Sequence, residues 1–263
     1  MYNFEYSKAK SVADAAKAAS ADGEAKILAG GMTLIPTLKQ RLAKPTALID
    51  LNGIAELAGI KRDGNNLVIG AMTRHAEVAR SKDVQAVIPA LAHLAELIGD
   101  PAVRNCGTIG GSIANHDPAA DYPAGVLGLN ATVITNKRQI KADDFFTGMF
   151  STALQDGEII TAVSFPKPDK AGYTKFKNPA SRYAIVGVFV AKTGNDVRVA
   201  VTGAGPGVFR AAEMEKALAG SFAADAIKAV KIKADGLNND IHGSAEYRAH
   251  LVNVIARRAV AAA

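Results

Sequence analysis

The stretch from Ala25 to Leu51 constrains the fold more than any other. Ala25–Ala29 reads as a short buried strand, Gly30-Gly31 as a turn, Leu34–Leu42 as a helix, and Thr46–Leu51 as a second strand. Strand, glycine turn, helix and strand make a βαβ unit, which implies parallel pairing through a right-handed crossover. A further helical stretch, Ser11–Ala19, precedes it. The glycine turn also carries chemistry. Without Cβ atoms it can take positive φ and let a ligand approach its amides, which converge at a helix N-terminus as a natural anion site. The spacing is not G-x-G-x-x-G, so this is no Rossmann dinucleotide fingerprint. On turn chemistry alone, a Gly-Gly pair after a strand also fits a purely structural turn.

A second block follows the turn at Asp63–Asn66. Leu67–Ala71 is strand-like, and helical patterns run from about Ala76 to Ile98 with an interruption at Pro89. Then comes Gly107-Thr-Ile-Gly-Gly-Ser112, in which three glycines and the hydroxyls of Thr108 and Ser112 lie within six positions. Such a loop offers N–H and O–H donors to a phosphate without needing a cation. Asp117-Pro118 reads as an N-cap followed by proline at the first helical position. That places Asp121 in the first turn, either accepting from ligand hydroxyls or only stabilising the helix start. Ala131–Thr135 and Glu158–Phe165 read as strands that close the block. Pro166–Gly172, with two prolines, a glycine and three charges, reads as a linker. Beyond it, Ala184–Lys192 and Val197–Thr202 form a strand pair around a turn at Thr193–Asp196, and the chain from Ala211 onward is mainly helical. The whole reads as α+β, divided near residue 170. Two donor loops in its first half suit a ligand with two linked phosphates, a nucleotide cofactor such as FAD clamped at its pyrophosphate.

Composition narrows the partners. The chain has 263 residues, 49% hydrophobic and 21% charged, an ordinary soluble globular balance. Its longest apolar run, Ala184 to Ala191, is far short of the roughly 20 residues that span a bilayer. The N-terminus lacks the pattern of a secretory signal, so the expected location is cytoplasmic. Cys106 is the only cysteine and reads as a small buried hydrophobe. One thiol makes no internal disulfide and cannot hold an iron–sulfur cluster, which needs about four. The net charge of +6 could suggest nucleic acid. The basic residues are scattered, however, aromatic residues amount to 6% and Trp is absent, so nucleic acid is not an expected partner.

The five histidines, at 75, 93, 116, 242 and 250, show no metal-ligand spacing, and His116 reads as a polar loop residue. Thr202–Gly207, though glycine-rich, lacks the acidic residue of a dinucleotide site and reads as a strand-to-helix connection. The acids Asp22–Glu24 and Asp143–Asp144 read as solvated turns. No set of acid, base and nucleophile converges, so no catalytic residue and no metal ligand is nominated.

Taken together, these segments resemble the FAD subunit of the xanthine dehydrogenase and aerobic carbon monoxide dehydrogenase family. The resemblance rests on Ala29-Gly30-Gly31, Thr108–Gly111 and Asp117–Asp121. It extends in order through Val103–Asn105, Gly70–Thr73, Glu158–Ile160 with Pro166, and Lys175–Lys177 to Val186. It implies a two-lobed FAD-binding domain of the vanillyl-alcohol-oxidase type over residues 1–168, with lobes of about 1–57 and 58–168. A smaller α+β C-terminal domain over 171–263 would follow. By position, Ile27, Leu28, Ala29, Gly30, Gly31, Met32, Thr33 and Leu34 would wrap the pyrophosphate from one side. Thr108, Ile109, Gly110, Gly111 and Ser112 would grip it from the other. Asn115 and Asp121 would meet ribityl, ribose or adenine; Ile160 and Lys177 the flavin or adenine; Ile98 and Tyr183 the isoalloxazine. Met32 departs from the family pattern, where a hydroxyl often follows the second glycine, and Thr33 stands one position later. The cofactor is expected to be non-covalent.

The implied function is an electron-transfer subunit that passes electrons from iron–sulfur clusters to NAD, a quinone or another acceptor. Clusters and molybdenum cofactor would sit only on partners, a small iron–sulfur subunit and a large molybdenum subunit, in a dimer of heterotrimers. The competing readings are a stand-alone FAD-dependent oxidoreductase that binds substrate on this chain, and a nucleotide-binding regulator without redox chemistry.

Overall fold

A computed structural model describes residues 1–263. The first lobe is built from β1 (Glu5–Lys8), α1 (Val12–Ala21), β2 (Lys26–Leu28), α2 (Leu34–Lys39) and β3 (Ala47–Asp50). Its three strands lie in the order β1-β3-β2, and β3 runs parallel to both neighbours. The expected βαβ unit is therefore present, with β1 as an additional edge strand that the short polar run Glu5–Lys8 did not announce. Ser11 caps α1 by accepting from the Asp14 amide. The lobe buries a small core around Ile49, Leu51, Ile54 and Leu57, which Met72 and Ile159 of the second lobe complete.

The second lobe starts with the hairpin β4 (Ile60–Asp63) and β5 (Asn66–Gly70). A helical layer follows: α3 (His75–Arg80), α4 (Lys82–Val87), α5 (Pro89–Glu96), α6 (Pro101–Cys106), α7 (Ile109–Asn115) and α8 (Tyr122–Gly128). The lobe ends with β6 (Thr132–Thr135), β7 (Gln139–Lys141), α9 (Ala142–Phe145), the small pair β8 (Phe146–Gly148) and β9 (Ser151–Thr152), and β10 (Ile160–Pro166). An antiparallel sheet in the order β4-β5-β10-β6-β7 backs the helices. The helical patterns expected over Ala76–Ile98 are three helices: the interruption at Pro89 is the start of α5, and a further break falls at Ser81, which caps α4.

The expected linker at Pro166–Gly172 is a tight connection. Pro166 still pairs with Asn66, the Lys167 amide donates to the Asn65 carbonyl, and pairing resumes at Lys170. From there β11 (Lys170–Lys177), β12 (Ala184–Thr193), β13 (Asp196–Thr202) and β14 (Phe209–Arg210) form an antiparallel sheet in that order. The helices α10 (Ala212–Gly220) and α11 (Ala245–Ala261) complete the chain. Between them, residues 221–244 are largely irregular, with one short 3-10 turn at Ala224–Ile227, so this tail is less helical than its alanine content suggests.

The apolar run of β12 reflects burial on both faces. Val186, Val188 and Val190 pack with Leu251, Val252 and Ile255 of α11. Phe189 and Ala191 point the other way, into the thirty-residue core of the second lobe. The Thr202–Gly207 loop is the seam between these parts, as expected of a connection rather than a nucleotide loop. The Thr202 hydroxyl and Gly203 amide donate to the Pro118 carbonyl, while Arg248 and Asn238 donate to the Gly203 carbonyl.

Candidate functional site

A cleft of about 690 Å³ opens where the two lobes meet, lined by the β2–α2 turn, the start of α7 and the turn between β11 and β12. The lobes meet there backbone to backbone. A Cβ at Gly30 would stand 2.2 Å from the Cys106 carbonyl oxygen and 2.7 Å from Gly107 Cα. Gly31 takes φ +72, the left-handed region that favours glycine. Gly110 is pressed against Ala71, where a Cβ would lie 2.8 Å from the backbone oxygen.

The two glycine segments divide the work differently from the sequence expectation. In the first, the amides of Gly31, Met32 and Thr33 engage no group of the chain. Thr33 occupies the N-cap position of α2 without using its side chain as a cap. All three residues line the cleft, and successive unspent amides before a helix are a donor set suited to an anion. The second segment, expected as a loop, is helical from Ile109. Its amides are largely spent inside the protein: Ile109 on the Thr73 carbonyl, Gly110 on the Ala71 carbonyl, Gly111 on the Thr108 hydroxyl, and Ser112 on the Thr108 carbonyl. The residues with polar side chains that this side brings to the cleft are Thr108, Ser112 and Asn115. Its glycines serve packing more than donation.

Sixteen of the nineteen expected residues line the cleft: Ile27, Ala29, Gly30, Gly31, Met32, Thr33, Leu34, Ile98, Thr108, Gly110, Gly111, Ser112, Asn115, Asp121, Ile160 and Tyr183. Leu28, Ile109 and Lys177 do not. Leu28 is absent from the lining although Lys26, Ile27 and Ala29 on either side of it contribute to it. Ile109 is wholly buried in the second-lobe core. A register shift between Phe176 and Lys177 leaves Lys177 exposed, while Lys175 is buried and pairs with the cleft-lining Asp121.

Asp121 is also placed differently. The helix expected near Pro118 begins at Tyr122, so Asp121 precedes it at the N-cap position and caps nothing. Asp117 instead accepts from the Ala119 amide, closing a tight turn. The Asp121 carboxylate is 4% exposed and is met by the Tyr173 hydroxyl and the Lys175 ammonium at 2.9 Å. Burial raises its pKa against the opposing pull of those two partners.

Several lining residues were not foreseen. Glu158 forms a two-pronged pair with Arg138 and also accepts from Thr135 and the Gln155 amide. The Arg138 bond, chiefly, lowers its pKa to about 2. His75 lines the cleft beside Gly107 with an unpartnered Nδ1, and burial lowers its pKa to about 4. Neither signals itself in the sequence, because each acquires its role from long-range packing. His75 carries a pH consequence. Its folded pKa lies below its usual 6.5, so the neutral form favours folding. Stability is fully present above about pH 6.5 and declines as the pH falls toward about 4, where the folded histidine also takes up its proton. In urea unfolding at pH 7 and pH 5, a His75→Phe variant is expected to lose part of that decline. An unchanged difference would exclude His75 as its source.

Three residues stand differently from the expectation. Cys106 is exposed at the end of α6 and does not line the cleft. His116 is buried, with Nδ1 at 2.9 Å from the Ser151 carbonyl and Nε2 accepting from the Val208 amide, which fixes the neutral Nδ1–H form. Asp143 is not merely solvated, since it pairs with Arg198 and Arg210.

Residues 2–168 match the family described as the FAD binding domain in molybdopterin dehydrogenase, and residues 171–263 match the CO dehydrogenase flavoprotein C-terminal domain. The chain belongs to this family. It is 37% identical to the glyceraldehyde dehydrogenase medium chain of Sulfolobus acidocaldarius, over 97% of this chain and 96% of that one. It is also 37% identical to the carbon monoxide dehydrogenase medium chain of Hydrogenophaga pseudoflava, over 99% and 96%. Among solved structures, reconstituted CO dehydrogenase from Oligotropha carboxidovorans superposes with a TM-score of 0.90 at 34% identity, over 100% of this chain and 98% of that one. As an FAD-binding flavoprotein subunit of the molybdenum oxidoreductases, the chain has the right cradle for its cofactor. Three unspent amides and side glycines too tight for a Cβ fit a diphosphate. Two of the acids lining the cleft, Asp121 and Glu158, are already paired with Lys175 and Arg138.

Proposed function

We propose that the chain is the electron-transfer subunit of a molybdenum hydroxylase complex, passing electrons from iron–sulfur clusters to an external acceptor such as NAD or a quinone. The observation that carries this reading is the cleft itself, an anion nest facing Thr108 and Ser112 across closely packed backbones, in a chain of this family. No converging acid, base and nucleophile accompanies it, which favours electron transfer over substrate chemistry on this chain.

In this reading residues 1–168 hold FAD and residues 171–263 brace the second lobe. The β2–α2 turn and Thr108–Ser112 clasp the pyrophosphate from opposite sides. Asn115 and Asp121 meet the ribityl, ribose or adenine part, Ile160 the flavin or adenine part, and Ile98 and Tyr183 flank the isoalloxazine. Lys177, exposed outside the cleft, is left out of the set. Bound FAD supplies electron exchange in ones or twos, while the protein contributes binding, orientation and electrostatics. The clusters and the molybdenum cofactor belong to a small and a large partner subunit, assembled as a dimer of heterotrimers in the cytoplasm. No helix of this chain is long and apolar enough to cross a membrane.

Native purification followed by size-exclusion chromatography tests the assembly. Flavin, iron and molybdenum are expected in one peak with two further chains. This chain eluting alone with flavin, and reduced directly by a small alcohol, would instead establish a stand-alone oxidoreductase.

A further inference from the structure

Beneath the cleft lies a buried ionic cluster that the clasp of the cofactor does not by itself require. Lys175 is a lysine with a 1% exposed side chain, far from the usual place of such a group. Its ammonium lies 2.9 Å from Asp121 Oδ1 and 3.0 Å from Oδ2, while Tyr173 donates its hydroxyl to Oδ1. Tyr173 is itself buried, and both donors stand two residues apart on β11, so the strand's alternation delivers them to one face. Asp121 is a cleft-lining residue, and Oδ2 accepts only from Lys175. A carboxylate oxygen has room for a second donor.

A lone buried carboxylate would take up a proton, since desolvation disfavours its charge. The Lys175 ammonium, close to both carboxylate oxygens, and the Tyr173 hydroxyl on Oδ1 oppose that uptake and fix the carboxylate plane, while Oδ2 keeps room for a second donor from the cleft. We propose that Lys175, supported by Tyr173, is a positioning residue that keeps Asp121 ionised as the acceptor for a hydroxyl of the bound nucleotide. This rests on the FAD reading above and adds a residue to it that acts through Asp121. The other titratable groups near Asp121 are the phenols Tyr122, next along the chain, and Tyr183, while Asp117 lines the cleft and accepts from the Ala119 amide. None replaces the Lys175 charge.

The test is the FAD affinity of the full chain, freed of cofactor and titrated by flavin fluorescence quenching from pH 6 to pH 9. The wild-type chain is expected to hold its affinity to lower pH than a chain without the Lys175 charge. A Lys175→Met variant keeps the length and apolar stem but removes the charge that opposes proton uptake, so Asp121 should take up a proton more readily, most of all at pH 6. It is expected to bind FAD about tenfold more weakly there, the ratio between hydrogen bonds to charged and neutral acceptors, and to recover toward pH 9. A variant combining Lys175→Met with Asp121→Asn has no group left to titrate. It should bind about tenfold more weakly at every pH, and it carries the test should the single variant fail to fold. Wild-type affinity in either variant, flat with pH, would overturn the role of Lys175. A wild-type chain that binds no FAD at any pH would instead overturn the proposed function, and this role with it.

Discussion

A Gly30→Val variant is expected to fold yet lose its cofactor, with FAD affinity reduced by well over the tenfold that about 1.4 kcal/mol represents. The argument is one of space. A Cβ at this position would lie 2.2 Å from the Cys106 carbonyl oxygen, 2.7 Å from Gly107 Cα and 2.8 Å from the Cys106 carbonyl carbon. All three atoms are backbone, so no side chain can swing away. The turn after β2 must retreat from the end of α6, which separates the Met32 and Thr33 amides from Thr108 across the cleft. Overpacking of this kind typically costs about 1–3 kcal/mol, which a 263-residue chain with two other cores can absorb. Gly23→Ala is the matched control, because nothing lies within 4 Å of its Cβ position. FAD titration of both variants checks the expectation. Wild-type affinity in Gly30→Val would mean that the close approach of the lobes does not set the cleft.

The largest loss of stability is expected from Phe189→Ala. Phe189 is wholly buried and belongs to β12, yet it serves the second lobe's core rather than the C-terminal one. Its ring fills the space left by two glycines of α8. A Cβ at Gly128 would lie 2.9 Å from the ring, one at Gly125 3.9 Å, and Tyr173 packs with its centroid 6.1 Å away. Removing it opens a cavity between a helix and a sheet that cannot collapse onto each other. The expected cost is about 3–5 kcal/mol, read as a lower midpoint in urea unfolding. Because Tyr173 also holds Asp121, the loss should extend to weaker FAD binding. A cost below about 1 kcal/mol would contradict the view that the C-terminal sheet braces the second lobe through this ring.

How much of this was legible in the sequence follows from the range of each interaction. The βαβ unit of the first lobe was readable because its strands, turn and helix are contiguous. The strand pair β12–β13 announced itself by a turn at Thr193–Asp196, where Gly194 takes φ +57. The cleft was readable as two glycine segments, since a glycine forced by close approach leaves a mark in the sequence. What the second segment does with its amides was not readable. Whether Gly110 donates to a ligand or to the Ala71 carbonyl depends on a strand forty residues earlier in the chain. The same applies to Lys175 and Lys177, both basic and both in β11. One register shift at Phe176 decides which of them turns inward. Glu158 and His75 owe their shifted protonation to Arg138 and to burial, neither of which local spacing encodes.

The central claim, that the cleft between the lobes is a non-covalent FAD site, is tested most directly by the cofactor released from the purified full chain. Denaturation, removal of the precipitated protein and mass analysis of the supernatant should yield FAD in near one-to-one ratio with the chain, leaving colourless protein. Gly30→Val purified in parallel should yield little. A chain that carries no flavin, or flavin that stays with the denatured protein, would contradict the account.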